Sequence, residues 1–135
     1  MDRRYFFFDI DNTIAVWPDS SIPDSTMETL YELRRRGHHV ALNTGRIQVD
    51  AKRFADLAQV RDFSADGGHS LTIEGSLLYM EGMDRGACIS YLEQLESHGI
   101  PWAVTDRNQL SRITPYKRIL DWHPDWDVFK TVVDP

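Results

Sequence analysis

The sequence predicts an α/β fold built on a parallel sheet, and three observations carry that expectation. The first half of the chain alternates strand, helix, strand, helix, strand by its apolar spacing, the pattern of a parallel sheet with right-handed crossovers. An aromatic run, Phe6-Phe7-Phe8, leads straight into Asp9-Ile10-Asp11-Asn12-Thr13. A second strand-like run ends in Asn43-Thr44-Gly45-Arg46 and opens a helix.

Taken in order, Tyr5 to Phe8 is the first strand. Three bulky apolar residues in succession read as a strand buried on both faces. A connection rich in Asp, Asn, Ser and Pro follows to Ile22. Ser25-Thr26-Met27-Glu28 fits a capping box, and Met27, Leu30, Tyr31 and Leu33 form an apolar stripe, so a helix is expected there, closed by Gly37. Arg34-Arg35-Arg36 reads as its solvated, dipole-compensating end. His39 to Leu42 is the second strand, Ile47 to Ala58 the second helix, and Val60 to Ser64 the third strand. Asp66-Gly67-Gly68 signals a turn, and Ser70–Ile73 with Ser76–Met80 around Glu74-Gly75 reads as a hairpin. A third helix spans about Arg85 to Ser97, with Ile89, Leu92 and Leu95 as its stripe and Gly99 as its stop. Beyond it, Trp102 to Thr105 reads as a strand, Ser111 to Leu120 as a helix interrupted by Pro115, and Asp127 to Val133 as a strand.

Bulk properties narrow the function. At 135 residues, 41% hydrophobic and 27% charged, the chain has the size and composition of one globular domain. A formal charge of −6 argues against a nucleic-acid partner, which favours a basic face. No apolar run approaches the roughly 20 residues of a membrane span, so no membrane partner is expected. Met1-Asp2-Arg3-Arg4 opens no signal peptide and Cys88 is the sole cysteine, which leads to the expectation of a reducing, cytoplasmic setting. The tryptophans of the last third, Trp102, Trp122 and Trp126, lead to an expected association surface, and with it a homo-oligomer.

Two spots hold the chemistry. Asp9 and Asp11 offer hard oxygen donors, which suit Mg²⁺. Thr44-Gly45-Arg46 offers a hydroxyl, a close backbone approach and a helix start, which suit a phosphate. Both follow parallel strands, whose carboxyl ends share one edge of an open sheet, so the two spots are expected to converge. Mg²⁺ and phosphate on one edge point to phosphoryl transfer. The competing reading of the first spot is an ordinary solvated Asp-Asn turn.

These residues resemble the haloacid dehalogenase superfamily of phosphohydrolases. Its first motif, Asp-x-Asp-x-Thr after an apolar strand, is matched by Asp9, Asp11 and Thr13, and its second, a Ser or Thr ending the next strand, by Thr44. The Thr-Gly-Arg form and the hairpin after Asp66-Gly67-Gly68 look like the Cof-type branch. Asn12 stands where Gly is commoner, and Asp66 where Asn is commoner. The resemblance implies a Rossmann-like parallel-sheet core, here three strands in residues 1–66, followed by a cap-like α/β segment in residues 67–135. It also implies Asp9 as nucleophile, Asp11 as general acid and base, Thr44, Gly45 and Arg46 as the phosphate-binding segment, and Asp9, through its carboxylate, with Asp11, through its backbone carbonyl, as the protein's Mg²⁺ ligands.

Two family elements have no match: a lysine that pairs with the nucleophile, and a late Gly-Asp-x-x-x-Asp motif that completes the metal site. Lys117, Lys130, Asp121, Asp125 and Asp127 stand in surroundings unlike those patterns. The expectation therefore divides between a Mg²⁺-dependent phosphatase and a phosphate-binding or regulatory relative that does not turn over. A piece of a longer enzyme and a natural short relative are both consistent with the motif content.

Overall fold

The computed structural model describes residues 2–125 and 129–135. The chain forms two compact units, Met1–Glu81 and Gly82–Pro135.

In the first unit, β1 (Tyr5–Phe8), α1 (Asp24–Arg35), β2 (His39–Asn43), α2 (Gln48–Leu57) and β3 (Asp62–Ala65) follow one another as strand, helix, strand, helix, strand. β1 pairs with β2 and β2 with β3, both parallel, with Phe8 opposite Leu42 and Leu42 opposite Phe63. A hairpin, β4 (Ser70–Ile73) and β5 (Ser76–Met80), pairs antiparallel onto β3 and extends the sheet to five strands in the order β1-β2-β3-β4-β5. Its turn is Glu74-Gly75, both with positive φ (51° and 79°), as the twist of a tight two-residue hairpin requires. The three parallel strands expected of the core are thus present, but the hairpin expected in the second segment belongs to the core sheet. The division expected between residues 66 and 67 falls inside that sheet, and the units part after Glu81.

Both helices cover one face. Leu30 of α1 and Ala51, Phe54 and Ala55 of α2 share a buried cluster with Val40, Leu42, Phe63 and Ala65 of the sheet and with Ile10 and Ile14 of the first loop. This arrangement corrects the reading of β1. Phe6 and Phe8 turn toward the cluster, rings stacked 6.3 Å apart, with Phe8 packed against the core. Tyr5 and Phe7 turn to the opposite face and stay 63% and 66% exposed. An apolar run alone does not reveal that both helices of the unit pack on the same face of its sheet.

α1 begins two residues earlier than the capping box predicted: it starts at Asp24 after Pro23, with no side-chain cap. Pro23 carries the fixed φ of an extended residue and its carbonyl accepts from Thr26 and Met27 N–H, which leaves Ser25 inside the first turn. Gly37 closes the helix at φ 82° as expected. Arg34 departs from a purely solvated end, since its guanidinium donates to the Ala58 carbonyl at the finish of α2 (3.0 Å).

The second unit holds α3 (Arg85–Ser97), β6 (Ser111–Thr114), α4 (Ile119–Trp122) and β7 (Lys130–Val133), with β6 and β7 parallel. Asp84 caps α3 by accepting from the Ala87 N–H at 2.9 Å. Ser111–Thr114, expected as helix, is strand: Pro115 forbids helix continuation, and the buried Thr114 hydroxyl donates to the Trp102 carbonyl (2.6 Å) and accepts from Tyr116 N–H (3.1 Å). The strand expected at Trp102–Thr105 reduces to one bridge, Val104 with Ile113. Of the strand expected over 127–133, residues 127 and 128 lie outside the described residues, as does Trp126. Trp122 is exposed, whereas Trp102 is half-buried, edge-on to Tyr116 and donating to Glu96. Among the described residues no helix is long and apolar enough to cross a membrane.

Candidate active site

Three loops leave the carboxyl ends of β1, β2 and β3, and each is fixed by its own backbone chemistry. In the first, the Ile10 carbonyl accepts from the N–H groups of Thr13, Ile14 and Ala15, folding the chain back immediately after Asp9. Asn12 sits at φ 57°, a left-handed position that Asn tolerates, which explains how it replaces the commoner Gly. Ile10 and Ile14 anchor this turn in the core, while Asp9, Asp11 and Thr13 face outward.

The second loop is Thr44 to Ile47. Thr44 is 4% exposed, and its Oγ1 accepts from the Arg46 N–H at 3.1 Å. A hydroxyl that accepts there keeps its own proton to donate. Beside Gly45 an added Cβ would meet nothing within 4 Å, so the backbone at this point borders open space. The third loop, Asp66-Gly67-Gly68, runs through three consecutive positive φ values, 53°, 63° and 101°. Its Asp66 N–H donates to the Arg46 carbonyl (2.8 Å) and its Gly67 N–H to the Thr44 carbonyl (3.2 Å), so it braces the second loop from behind.

A line of charged contacts joins the first two loops. Arg46 donates from Nε to Asp11 Oδ2 at 2.8 Å and from Nη2 to Asp11 Oδ1 at 2.5 Å. Its Nη1 donates to Asp50 Oδ2 at 2.6 Å, and Asp50 Oδ1 accepts from Arg53 Nη1 at 2.7 Å. The guanidinium carbon also stands 4.5 Å above the centre of the Phe54 ring. Arg46 holds the Asp11 carboxyl below the ordinary carboxylate range, chiefly through their hydrogen bonds, with partial burial opposing. In return the two aspartates raise the Arg46 guanidinium above its usual value, Asp11 most strongly.

The structure therefore brings together Asp11, Thr44 and Arg46, with Gly45 between the last two. Asp9 lies at the same edge, one residue beyond the Phe8–Leu42 pair, but is exposed and outside the bonded line. Two expectations change. Arg46, expected to face phosphate, is engaged by carboxylates. The start of α2, expected to present N–H groups to an anion, already holds one: Asp66 Oδ2 accepts from the Gln48 N–H (3.2 Å) and from the Ser70 hydroxyl (2.7 Å).

Sequence reasoning missed Asp50 and the capping role of Asp66. Asp50 had a legible signal, since it stands four residues after Arg46, just ahead of α2, and three before Arg53 on the helix, the spacings at which charges meet. Asp66 had none, because its partners Gln48 and Ser70 are brought to it by the tertiary fold.

For a cation, Asp9 is the open carboxylate of the pair; both Asp11 carboxylate oxygens are taken by Arg46, which leaves untouched the Asp11 backbone carbonyl that the resemblance implies as the second ligand. Among the described residues no three His, Cys, Asp or Glu side chains gather closely enough to hold a metal ion. Hard oxygen donors of this kind fit Mg²⁺ bound by few protein groups and several waters.

Comparison with known proteins bears on the family and the fold. Residues 6–125 match the sequence profile of haloacid dehalogenase-like hydrolases. A Bacillus subtilis (strain 168) protein named "Putative phosphatase YkrA" is 33% identical over 96 residues, which cover 71% of this chain and 37% of that protein. Among solved structures, a hypothetical protein from Geobacillus kaustophilus HTA426 superposes with a TM-score of 0.78 at 24% identity, covering 99% of this chain and 52% of that one. The subclass IIB sugar phosphatase BT4131 gives 0.71 at 21% identity, over 98% and 53% of the two chains. BT1666 from Bacteroides thetaiotaomicron, a phosphatase of the same superfamily, gives 0.75 at 15%, over 98% and 50%. At these identities the structural likeness speaks to the fold. The chain spans about half the length of these structures and less of YkrA.

Proposed function

The chain belongs to the haloacid dehalogenase-like hydrolases, and from that premise we propose that its first unit carries a phosphoryl-transfer site for small phosphorylated metabolites. The observation that carries this reading is the Arg46–Asp11 contact, which ties the loop of the paired aspartates to the loop of Thr44 and Gly45. Asp9, exposed at the end of β1, is the nucleophile: its carboxylate oxygen bonds to phosphorus as the ester oxygen leaves, giving an acyl phosphate that water then cleaves. Asp11, two residues on, is within reach of the same substrate to give a proton to the leaving oxygen and to take one from water. Thr44 donates its hydroxyl to a phosphate oxygen, and Gly45 leaves room for the phosphate to approach the backbone.

Asp9 would hold Mg²⁺ with water in the remaining positions, and the ion when bound would offset the charge between carboxylate and phosphate. Held by Arg46, Asp11 favours its ionised form, the form that accepts a proton, while the same hold lowers its proton affinity. As an acid it needs a looser grip, and an arriving phosphate dianion competes for the same guanidinium.

The test is phosphate release from p-nitrophenyl phosphate, with and without Mg²⁺, by the wild type and by Asp9→Asn. The reading expects Mg²⁺-dependent release that Asp9→Asn abolishes. Release that survives the substitution in clean protein refutes Asp9 as nucleophile. A second reading, phosphate binding without turnover, is favoured by the engagement of both Asp11 oxygens and the sparse set of acids. Calorimetry showing phosphate and Mg²⁺ binding, with no release from a broad panel of esters, would select it.

A further inference from the structure

We infer that Asp50 is a positioning residue for Asp11, acting through Arg46; this deepens the phosphoryl-transfer reading and rests on it. Asp50 is 7% exposed on α2, an expensive place for a carboxylate unless both oxygens are matched by charge. They are: one meets Arg46 and the other Arg53. The guanidinium of Arg46 is divided between two carboxylates, its Nη1 on Asp50 and its Nε and Nη2 on Asp11. With one nitrogen fixed by a buried anion and one face resting on Phe54, the Nε–Nη2 edge has a single direction in which to point, and Asp11 lies there.

Asp11 needs such a guide. Its side chain is 49% exposed and its backbone sits on a loop, so nothing in its own surroundings selects one rotamer. A planar, bidentate partner fixes both the distance and the plane of the carboxylate. Orientation of a reacting group in this way is worth a large part of a catalytic rate. Asp50 therefore sets where the Asp11 proton is delivered without touching substrate itself. A merely structural Asp50 would hold α2 together and leave Asp11 unaffected when removed.

Two measurements separate these outcomes. The first is the NMR signal of the Arg46 Nε–H, which contacts Asp11 and not Asp50; Asp11→Asn gives its position once that contact is weakened. Positioning expects Asp50→Asn to shift and broaden this signal toward the Asp11→Asn position. An unchanged signal overturns the proposal. The second is the kinetics on p-nitrophenyl phosphate, where Asp50→Asn should lower kcat at least about tenfold and leave KM within about twofold. A shifted signal with an unchanged kcat also overturns it. If the wild type releases no phosphate, the phosphoryl-transfer reading fails, and the NMR arm still decides whether Asp50 orients Asp11. Should Asp50→Asn not fold, both measurements pass to Asp50→Glu, whose displaced carboxylate is expected to move the Arg46 signal and lower kcat in the same direction.

Discussion

Arg46 grips both oxygens of Asp11, Nη2 to Oδ1 at 2.5 Å and Nε to Oδ2 at 2.8 Å, although the two residues are 35 apart in sequence. Parallel pairing of β1 with β2 makes this reach short, because the loops after both strands emerge on one edge. The contact determines which protonation state of Asp11 the fold prefers, and that preference has a consequence in acid.

Asp11→Asn should cost at most about 1 kcal/mol at neutral pH, since the pair is half-exposed and screened. The Asp11 pKa is depressed in the folded state. Its contribution is therefore present above the ordinary unfolded value near about 3.9 and is lost as pH falls through the lower folded value. Urea denaturation of wild type and Asp11→Asn should thus show a difference at about pH 7 that closes toward about pH 2.5. A difference independent of pH would mean that the pair contributes no linked charge to stability.

Arg46→Met should be the more damaging change, about 2 kcal/mol, because it removes one of two partners from the buried Asp50 carboxylate. Asp11 loses the same contact but is hydrated in compensation; Asp50 is not. The order of urea midpoints should be wild type, Asp11→Asn, Arg46→Met. A reversal of the last two would place the weight of the network at Asp11.

Most of the first unit was legible because local signals agree with the tertiary outcome. Apolar spacing located both helices, Gly37 and Glu74-Gly75 marked their turns, and the paired motifs located the edge where the loops meet. The failures arise where a neighbour decides. Phe7 is exposed because, among the described residues of its own unit, both helices pack on the other face of the sheet, a fact absent from Phe6-Phe7-Phe8 itself. Ser111–Thr114 is strand because β7 pairs with it and Pro115 stops a helix. The Arg46–Asp11 contact was unreadable because Thr-Gly-Arg shows a cation on a loop and the carboxylate that claims it comes from another loop; only the Asp50 contact, four residues on, left a trace in the spacing.

Leu42→Ala should cost about 2–5 kcal/mol, whereas Phe7→Ala should cost under about 1. The two residues lie on neighbouring strands, but Leu42 is enclosed by both helices and Phe7 stands in solvent. Chemical denaturation of the two variants checks the contrast. Similar large losses would show that the aromatic face of β1 is covered in solution.

Asp66→Ala should destabilise by about 1–3 kcal/mol through two lost partners: the Gln48 N–H at the start of α2, and the fully buried Ser70 hydroxyl. Both donate to the same Oδ2, so Asp66→Asn keeps an oxygen that can accept from each and should retain most of the stability. Equal losses in both variants, followed by thermal melting, would point to the charge at the helix start as the dominant contribution.

Thr44→Val tests the last link between fold and chemistry. The two side chains have nearly the same shape, so packing in this buried position is preserved while the hydroxyl is removed. The Arg46 N–H then loses the acceptor it holds at 3.1 Å, with an expected cost of about 1–2 kcal/mol. That cost follows from the structure alone and is read by urea denaturation. A second effect follows from the proposed role: phosphate binding, measured by calorimetry, should weaken by at least about tenfold, the loss of one hydrogen bond to a charged group. Thr44→Ser keeps the hydroxyl and should restore the binding. Lost stability with undiminished phosphate affinity would confine Thr44 to bracing its loop, and the phosphate would then have to be held elsewhere on the edge, by groups other than the one the motif singles out.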